Sequence, residues 1–166
     1  MPFTPFHFGP GAALHAVAPR HVSFLAFCSA NVLMDVEPLY FMLANQFPLH
    51  RFFHTYVGAT VVLVVTAVLF TLLKKSKFLV SLLGRLHWKQ PSILQVTIGA
   101  ALGSYSHIFL DSLMHPDIRP VAPLSGTNVL LHAVSLSALH WACAAAGAVG
   151  LSIIGIRKVL RELDAV

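Results

Sequence analysis

Charged side chains are scarce in this sequence. Only 10% of its 166 residues are Asp, Glu, Lys or Arg, whereas about a quarter of a soluble domain is charged. Hydrophobic residues make up 57% of the chain, and the mean hydropathy is +0.77. Because so little polar surface cannot coat a water-soluble globule, the composition predicts an integral membrane protein, with one domain over residues 1–166.

Cysteine is nearly absent as well. Cys28 and Cys143 both lie inside apolar runs, where cysteine behaves as a small buried hydrophobe, so no disulfide framework is expected. The first residues contain no basic stretch and no cleavage site, and we expect them to stay in the mature protein. The net charge of +5 comes from residues at the ends of apolar runs, as in membrane proteins, so no nucleic-acid partner is expected.

Long apolar runs are what the sequence does contain. Four of them, at residues 21–43, 56–73, 93–114 and 129–154, are long enough to cross a bilayer, which takes about 20 residues. A shorter run at residues 8–18 stops at Pro19 and predicts a half-helix. We therefore predict an all-α, polytopic membrane helix bundle of about four spanning helices plus an N-terminal half-helix.

Lysine and arginine predict the orientation of the bundle. They cluster between the second and third runs and after the fourth, and the positive-inside rule places both clusters in the cytoplasm. We therefore expect a multi-pass membrane protein with the loops at 45–51 and 116–127 on the outer side. The clusters contain Lys74, Lys75, Lys77, Arg85 and Lys89, and then Arg157, Lys158 and Arg161.

A polar stripe interrupts the third apolar run. His107 and Asp111 are four residues apart, a spacing that puts them on one helix face, and His115 continues that face just before Pro116. Imidazole nitrogen and carboxylate oxygen are suitable ligands for zinc, iron or manganese. A buried His–Asp hydrogen bond would use the same spacing, and these residues alone leave both interpretations open.

Two more polar motifs lie near the predicted outer side. In Asp35-Val-Glu37-Pro38, the proline disfavours helical geometry at Glu37, so unwinding is expected to aim both carboxylates at one site. The alternative is that Glu37 is a charge at the membrane rim. His50 and His54 stand at the mouth of the second run, and the role of His50 stays open.

Helix geometry predicts that several of these residues share one depth. At about 1.5 Å per residue, Asp35 and His107 both lie roughly 12 Å below the outer ends of their helices. His7 joins them if the half-helix runs inward from it. In the fourth run, His132 is expected roughly 8 Å down and His140 roughly 20 Å down, which makes His132 the better candidate partner and His140 too deep.

The motifs occur in a recognisable order. They are Thr4-x-x-His7, Asp35-x-Glu37-Pro38, Arg51 followed by His54, and Ser106-His107-x-x-x-Asp111 with a proline-rich exit. This order resembles the LexA-regulated inner-membrane metal-dependent hydrolase family, a distant relative of the zinc phospholipase C and single-strand nuclease superfamily. The resemblance covers about residues 4–127 and is most specific over 103–111. It implies a location in the inner (cytoplasmic) membrane, where the predicted orientation puts the site toward the outer face. It implies the metal ligands His7, Asp35, His54, His107 and Asp111, with Glu37 and His115 as further members of the site.

The leading hypothesis is a membrane-embedded, metal-dependent hydrolase of a phosphoester on a lipid or another amphiphilic substrate. Two divalent ions are expected, zinc first and manganese or iron as alternatives, to activate water. Glu37 is the candidate base, and Arg51 or Arg119 would hold the phosphate as a planar fork.

The rival hypothesis is a non-enzymatic membrane protein. Buried histidines and carboxylates also serve in proton relays, so the chain would then be a metal or proton carrier, or a subunit whose site is degenerate. Membrane lipid is the expected partner under either hypothesis, and a homo-oligomer stays open.

Overall fold

The computed structural model of the chain describes residues 5–74, 76, 80–81, 84 and 90–164. A 3-10 turn at Pro5–His7 leads into five α-helices, and no strand occurs among the residues described. The helices are α1 (Phe8–Val17), α2 (Phe24–Leu43), α3 (Tyr56–Leu73), α4 (Ile93–Met114) and α5 (Leu136–Leu163).

The four helices α2 to α5 are long and apolar enough to cross a membrane. The predicted all-α membrane bundle is therefore confirmed, with α1 as the short N-terminal helix. Helices α3 and α4 coincide with the apolar runs 56–73 and 93–114. Most of the basic segment that was used to predict the orientation (Lys75, Lys77, Arg85 and Lys89) lies outside the described residues, and the sidedness of the bundle stays a prediction.

Each spanning helix begins at a hydroxyl side chain. The oxygen of the residue before the helix accepts a hydrogen bond from the backbone N–H three residues later, which satisfies a donor that the helix itself leaves free. At α4 the cap is reciprocal, because the Gln95 side chain also accepts from the Ser92 N–H. The capping residues are Ser23, Thr55, Ser92 and Ser135.

These caps explain where the observed helices depart from the apolar runs. The first spanning helix begins at Phe24 rather than within 21–23, because Ser23 is its cap. The predicted start of the fourth at residue 129 is wrong, since α5 begins only after Ser135. The Asn128 side chain holds the segment before α5 in a loop. Its amide group donates to the Ser112 and His115 carbonyls, and its oxygen accepts from the Leu130 N–H.

Helix α4 is the centre of the bundle. It packs along α2 on one side and α3 on the other, while α1 lies along α5. Small buried residues such as Ala30, Ala59 and Ala100 fill the space between α2, α3 and α4, and close approach of small residues is the usual basis of helix packing in lipid. The outer surfaces of these helices expose apolar side chains, as contact with lipid requires.

Helices α2 and α4 approach each other closely at Gly103. A Cβ added there would be 2.6 Å from the Phe27 carbonyl oxygen, and that oxygen also accepts a hydrogen bond from Asn31. We expect Gly103→Ala to force the helices apart and to lower the thermal unfolding midpoint in detergent by roughly 5 °C. Gly155→Ala is the control, because a Cβ at Gly155 has no atom within 4 Å among the described residues. Equal midpoints for the two variants would contradict the packing assigned to Gly103.

Candidate metal centre

Four elements deliver polar side chains to one end of the bundle. Asp35 comes from the middle of α2, and His107 and Asp111 come from successive turns of α4. His54 lies in the loop before α3, and His7 is the last residue of the 3-10 turn before α1. All five are buried, so the structure brings together the five residues that the motif resemblance selected. Their role as metal ligands stays a prediction.

The first ligand group consists of Asp35, His54, His107 and Asp111. Each can offer one ligand atom, and these atoms all lie within 4.8 Å of one another. The His107 Nε2 atom is 3.1 Å from Asp111 Oδ2 and 3.4 Å from Asp35 Oδ1. His54 Nε2 is 3.6 Å from the same Asp111 oxygen. Two imidazoles and two carboxylates of this kind can hold zinc, iron or manganese.

His7 stands at the edge of this group. Its Nε2 atom is 3.1 Å from Asp111 Oδ1, and its ring lies against that of His107 with 4.5 Å between the centroids. Because α1 starts immediately after His7, the short helix fixes the position of the His7 side chain against Asp111 of α4. This is the arrangement expected if the half-helix begins at the level of the site.

A second ligand group consists of His50, Asp111 and His115, whose ligand atoms also lie within 4.8 Å of one another. Asp111 belongs to both groups, so its carboxylate lies between them. His115 is only half-buried, which makes this group the less enclosed of the two. Burial lowers the pKa of His115 and so favours the neutral imidazole, the form that binds metals.

Three of the histidines are oriented by a partner on their other ring nitrogen. His54 Nδ1 is 3.2 Å from Glu37 Oε2, and His50 Nδ1 is 2.9 Å from Asp117 Oδ1. A carboxylate only accepts, so each Nδ1–H donates and each Nε2 keeps a free lone pair. Carboxylate–histidine pairs of this type orient metal ligands and raise their basicity.

His107 has the same arrangement with an amide partner. Its Nδ1 is 3.0 Å from Asn31 Oδ1, and the Asn31 amide group donates to the Phe27 carbonyl. The amide oxygen therefore faces the ring and accepts from its Nδ1–H, which leaves Nε2 as the lone-pair atom. That atom is the one that points at Asp35 and Asp111.

Buried polar atoms without partners test whether a metal fits here. Within the described part of the chain, no hydrogen-bond partner exists for either ring nitrogen of His7, for Nε2 of His54 and of His107, or for Asp111 Oδ1. Leaving one such atom unsatisfied costs about 1–3 kcal/mol. His107 Nε2 lies 3.1 Å from Asp111 Oδ2 without a hydrogen bond of good geometry between them. The donor set fits a bound cation, which would satisfy these atoms together.

Glu37 and Asp35 do not share one site, contrary to the unwinding predicted at Pro38. Helix α2 stays regular through Pro38, so the two carboxylates diverge as residues two apart do on a helix. Glu37 accepts hydrogen bonds from the backbone N–H groups of Arg51 and Phe53 as well as from His54. This side chain therefore holds the loop before α3 and aims His54 at the first ligand group.

The two arginines suggested for phosphate binding are placed differently. The Arg51 guanidinium lies 3.5 Å from the centroid of the Phe41 ring and donates from Nε to the Pro48 carbonyl, so it is already engaged. Arg119 is exposed in the loop after α4. Of these two arginines, Arg119 is therefore the one with its guanidinium open to solvent.

His132 and His140 belong to neither ligand group. His132 lies in the loop before α5, is exposed and has a positive φ of 61°, so its predicted position inside a spanning helix is wrong. His140 stacks on Phe6 with 4.5 Å between ring centroids. It supports the 3-10 turn that carries His7.

Sequence reasoning missed Asn31 and Asp117, which hold the ligand histidines His107 and His50 in place. Asn31 and Asp117 were visible as rare polar residues, but nothing in their spacing paired them with His107 and His50. Burial alone would raise the pKa of Asp117, but hydrogen bonds from His50 and the Leu49 N–H outweigh it and hold the pKa below its usual range. Asp117 is therefore ionised at neutral pH and can accept from His50.

Comparison with known proteins gave no match for this chain among family models, curated proteins or solved structures.

Proposed function

We propose that the chain is a membrane-embedded, metal-dependent hydrolase that cleaves a phosphoester on a lipid or another amphiphilic substrate. The observation that carries the proposal is the sharing of Asp111 by two ligand groups, one enclosed and one half-open. Sites with two metal ions joined in this way occur in phosphatases and nucleases. The motif order that resembles inner-membrane metal-dependent hydrolases supports the same reaction class.

Two divalent ions would occupy the site in this proposal. The first would be held by Asp35, His54, His107 and Asp111, and the second by Asp111, His50 and His115. Zinc is the first expectation because imidazole and carboxylate ligands suit it, and manganese and iron use the same donors. When bound, such ions polarise a phosphoryl oxygen and lower the pKa of a bound water.

The residues of the chain have distinct tasks in this proposal. Glu37, Asn31 and Asp117 hold the ring orientations of the ligand histidines, so we assign Glu37 a positioning role in place of the base predicted from sequence. The substrate enters beside His115, the least buried ligand. Arg119 lies in the adjacent loop with an exposed guanidinium, and we assign it the phosphate contact instead of Arg51.

Apolar loop residues at this end of the bundle support an amphiphilic substrate. Phe47 is 77% exposed and Leu124 is 94% exposed, and both lie in the loops that carry the second ligand group. Exposed apolar side chains next to a polar site suit a molecule with one apolar and one polar end. With the positive-inside rule, the site would face the outer side of the inner membrane.

The carrier hypothesis is less well supported by the geometry. A proton or ion path would need polar groups that continue from the site to the far end of the bundle. The buried hydroxyls of Ser104 and Thr66 instead donate to carbonyls one turn earlier on their own helices. Asn31 is likewise engaged with the Phe27 carbonyl.

The test uses detergent-purified full-length protein that has not met a chelator. We expect it to hydrolyse bis(p-nitrophenyl) phosphate or a phospholipid. With EDTA the rate should fall by at least 90%, roughly tenfold, which is the effect of losing a metal ligand partner. Added zinc or manganese should restore the activity. In proteoliposomes, a zinc-sensitive dye should report no flux. Flux without turnover would contradict the hydrolase and favour the carrier.

A further inference from the structure

A cavity of about 700 Å³ lies at the end of the bundle opposite the metal centre. Its lining includes Ser23 at the start of α2 and Gln95 in the first turn of α4. Since Gln95 is twelve or more positions before the His107–Asp111 turn, the cavity lies roughly 18 Å or more along the helix from the metal centre. No residue of either ligand group lines it.

The cavity borders the end of α1 and the turn that follows it. Helix α1 lies along α5 but ends at Val17, so it is only about 15 Å long against roughly 30 Å of hydrocarbon. Beyond its end the chain turns back into α2 through residues 18–23. Helix α1 packs against α5 as far as Arg157, which donates to the Ala16 carbonyl, and the cavity opens beside this contact with Leu151 and Ile154 in its lining.

The lining combines positive charge with apolar surface. Arg20 and Arg161 both border the cavity, together with Phe24, Leu25, Leu151 and Ile154. Among the residues that the structure describes, no carboxylate lies within 4.0 Å of either arginine, and the nearby Glu162 pairs with Lys158. Both guanidinium groups are therefore available to an anion.

Arg157, a further cation at this end of the described structure, is already engaged. Arg157 donates to the Ala16 carbonyl at the end of α1, so it satisfies a helix terminus and not a ligand. The Gln95 side chain likewise donates to the Pro19 carbonyl and ties the turn before α2 to α4. The cavity is thus bounded by a fixed wall, with Arg20 and Arg161 as its free charges.

We propose that this cavity binds one anionic phospholipid, with the phosphate held between Arg20 and Arg161 and the upper acyl chains against Phe24, Leu151 and Ile154. A guanidinium matches a phosphate with two parallel hydrogen bonds, and basic pockets between membrane helices are suited to anionic headgroups. The apolar half of the lining selects a lipid over a free phosphate ion. The lipid fills the space between α5, the turn after α1 and the first turns of α2 and α4.

The experiment measures lipid retention by native mass spectrometry of the detergent-purified full chain. Phosphatidylglycerol, phosphatidylcholine and inorganic phosphate are added in separate arms. We expect one phosphatidylglycerol to bind and phosphatidylcholine to be released. In the double variant Arg20→Gln/Arg161→Gln, phosphatidylglycerol affinity should fall about thirty-fold, because each arginine near a headgroup contributes roughly fivefold.

Two further variants make the result decisive. Lys158→Gln removes the same charge from the same end of α5, but Lys158 pairs with Glu162 outside the cavity. The affinity of this variant for phosphatidylglycerol should therefore stay within about twofold of wild type. Leu151→Trp fills the cavity and keeps both arginines, and it should also release the lipid. Equal binding of the two lipids, an unchanged double variant, or displacement of phosphatidylglycerol by equimolar inorganic phosphate would overturn the proposal.

Discussion

Asp111→Asn is expected to remove metal from both ligand groups at once. One oxygen of Asp111 faces His107 and His54, and the other faces His7, so this carboxylate is the shared ligand of the site. Asparagine has nearly the same shape but no charge and only one acceptor oxygen, and its amide group would point a donor at a cation. We expect metal affinity to fall roughly a hundredfold or more, with loss of phosphoesterase activity.

The measurement is elemental analysis of protein purified without chelators and dialysed against zinc. His132→Ala is the control, since His132 is exposed and belongs to neither ligand group. His50→Ala should lose only the metal of the second group. A full metal content in Asp111→Asn, with the fold confirmed by circular dichroism, would show that the two groups do not share this residue.

Glu37→Gln is expected to weaken metal binding by about 10–100-fold without destroying the chemistry, since this is the usual effect of losing an outer partner of a ligand histidine. Glu37 accepts from two backbone N–H groups and from His54. Glutamine has one acceptor oxygen and places an amide donor against these donors. His54 then loses its fixed orientation, but the ligand itself remains.

The readout separates a positioning residue from a catalytic base. If Glu37 positions His54, saturating zinc restores turnover in Glu37→Gln, because only metal occupancy was lost. If Glu37 is the base, turnover stays low at saturating zinc while metal affinity matches wild type. Glu162→Gln is the matched control, because Glu162 is exposed and pairs with Lys158 in the tail of α5.

The predicted helices succeeded where hydropathy and capping agree. Helices α3 and α4 match the predicted runs because Thr55 and Ser92 cap them just where the apolar runs begin. The start of α5 was missed because the apolar run extends upstream of its cap. Hydrogen bonds from the Asn128 side chain, which reach the end of α4, decide that Leu130 and its neighbours form a loop.

The candidate site divides in the same way. His107 and Asp111 could be assigned to one face because their spacing is a local property of a helix. Asp35 and Glu37 were predicted to point at one site, because Pro38 was expected to unwind the helix. That prediction is wrong, since α2 stays regular through Pro38. Pro38 is itself fully buried, and spacing along the chain does not reveal which residues are buried in this way.

The sequence by itself determined an all-helical membrane bundle and the identity of its rare polar residues, because apolar run length, helical period and the cost of burying charge are local properties. Only the tertiary structure decided which atoms meet. His107 finds Asn31, His50 finds Asp117 and His54 finds Glu37 across different elements, and those pairings depend on how α2, α4 and the loop before α3 pack. The short α1 was readable from the sequence, but the cavity beside its end exists only because α5, the turn after α1 and the starts of α2 and α4 meet there.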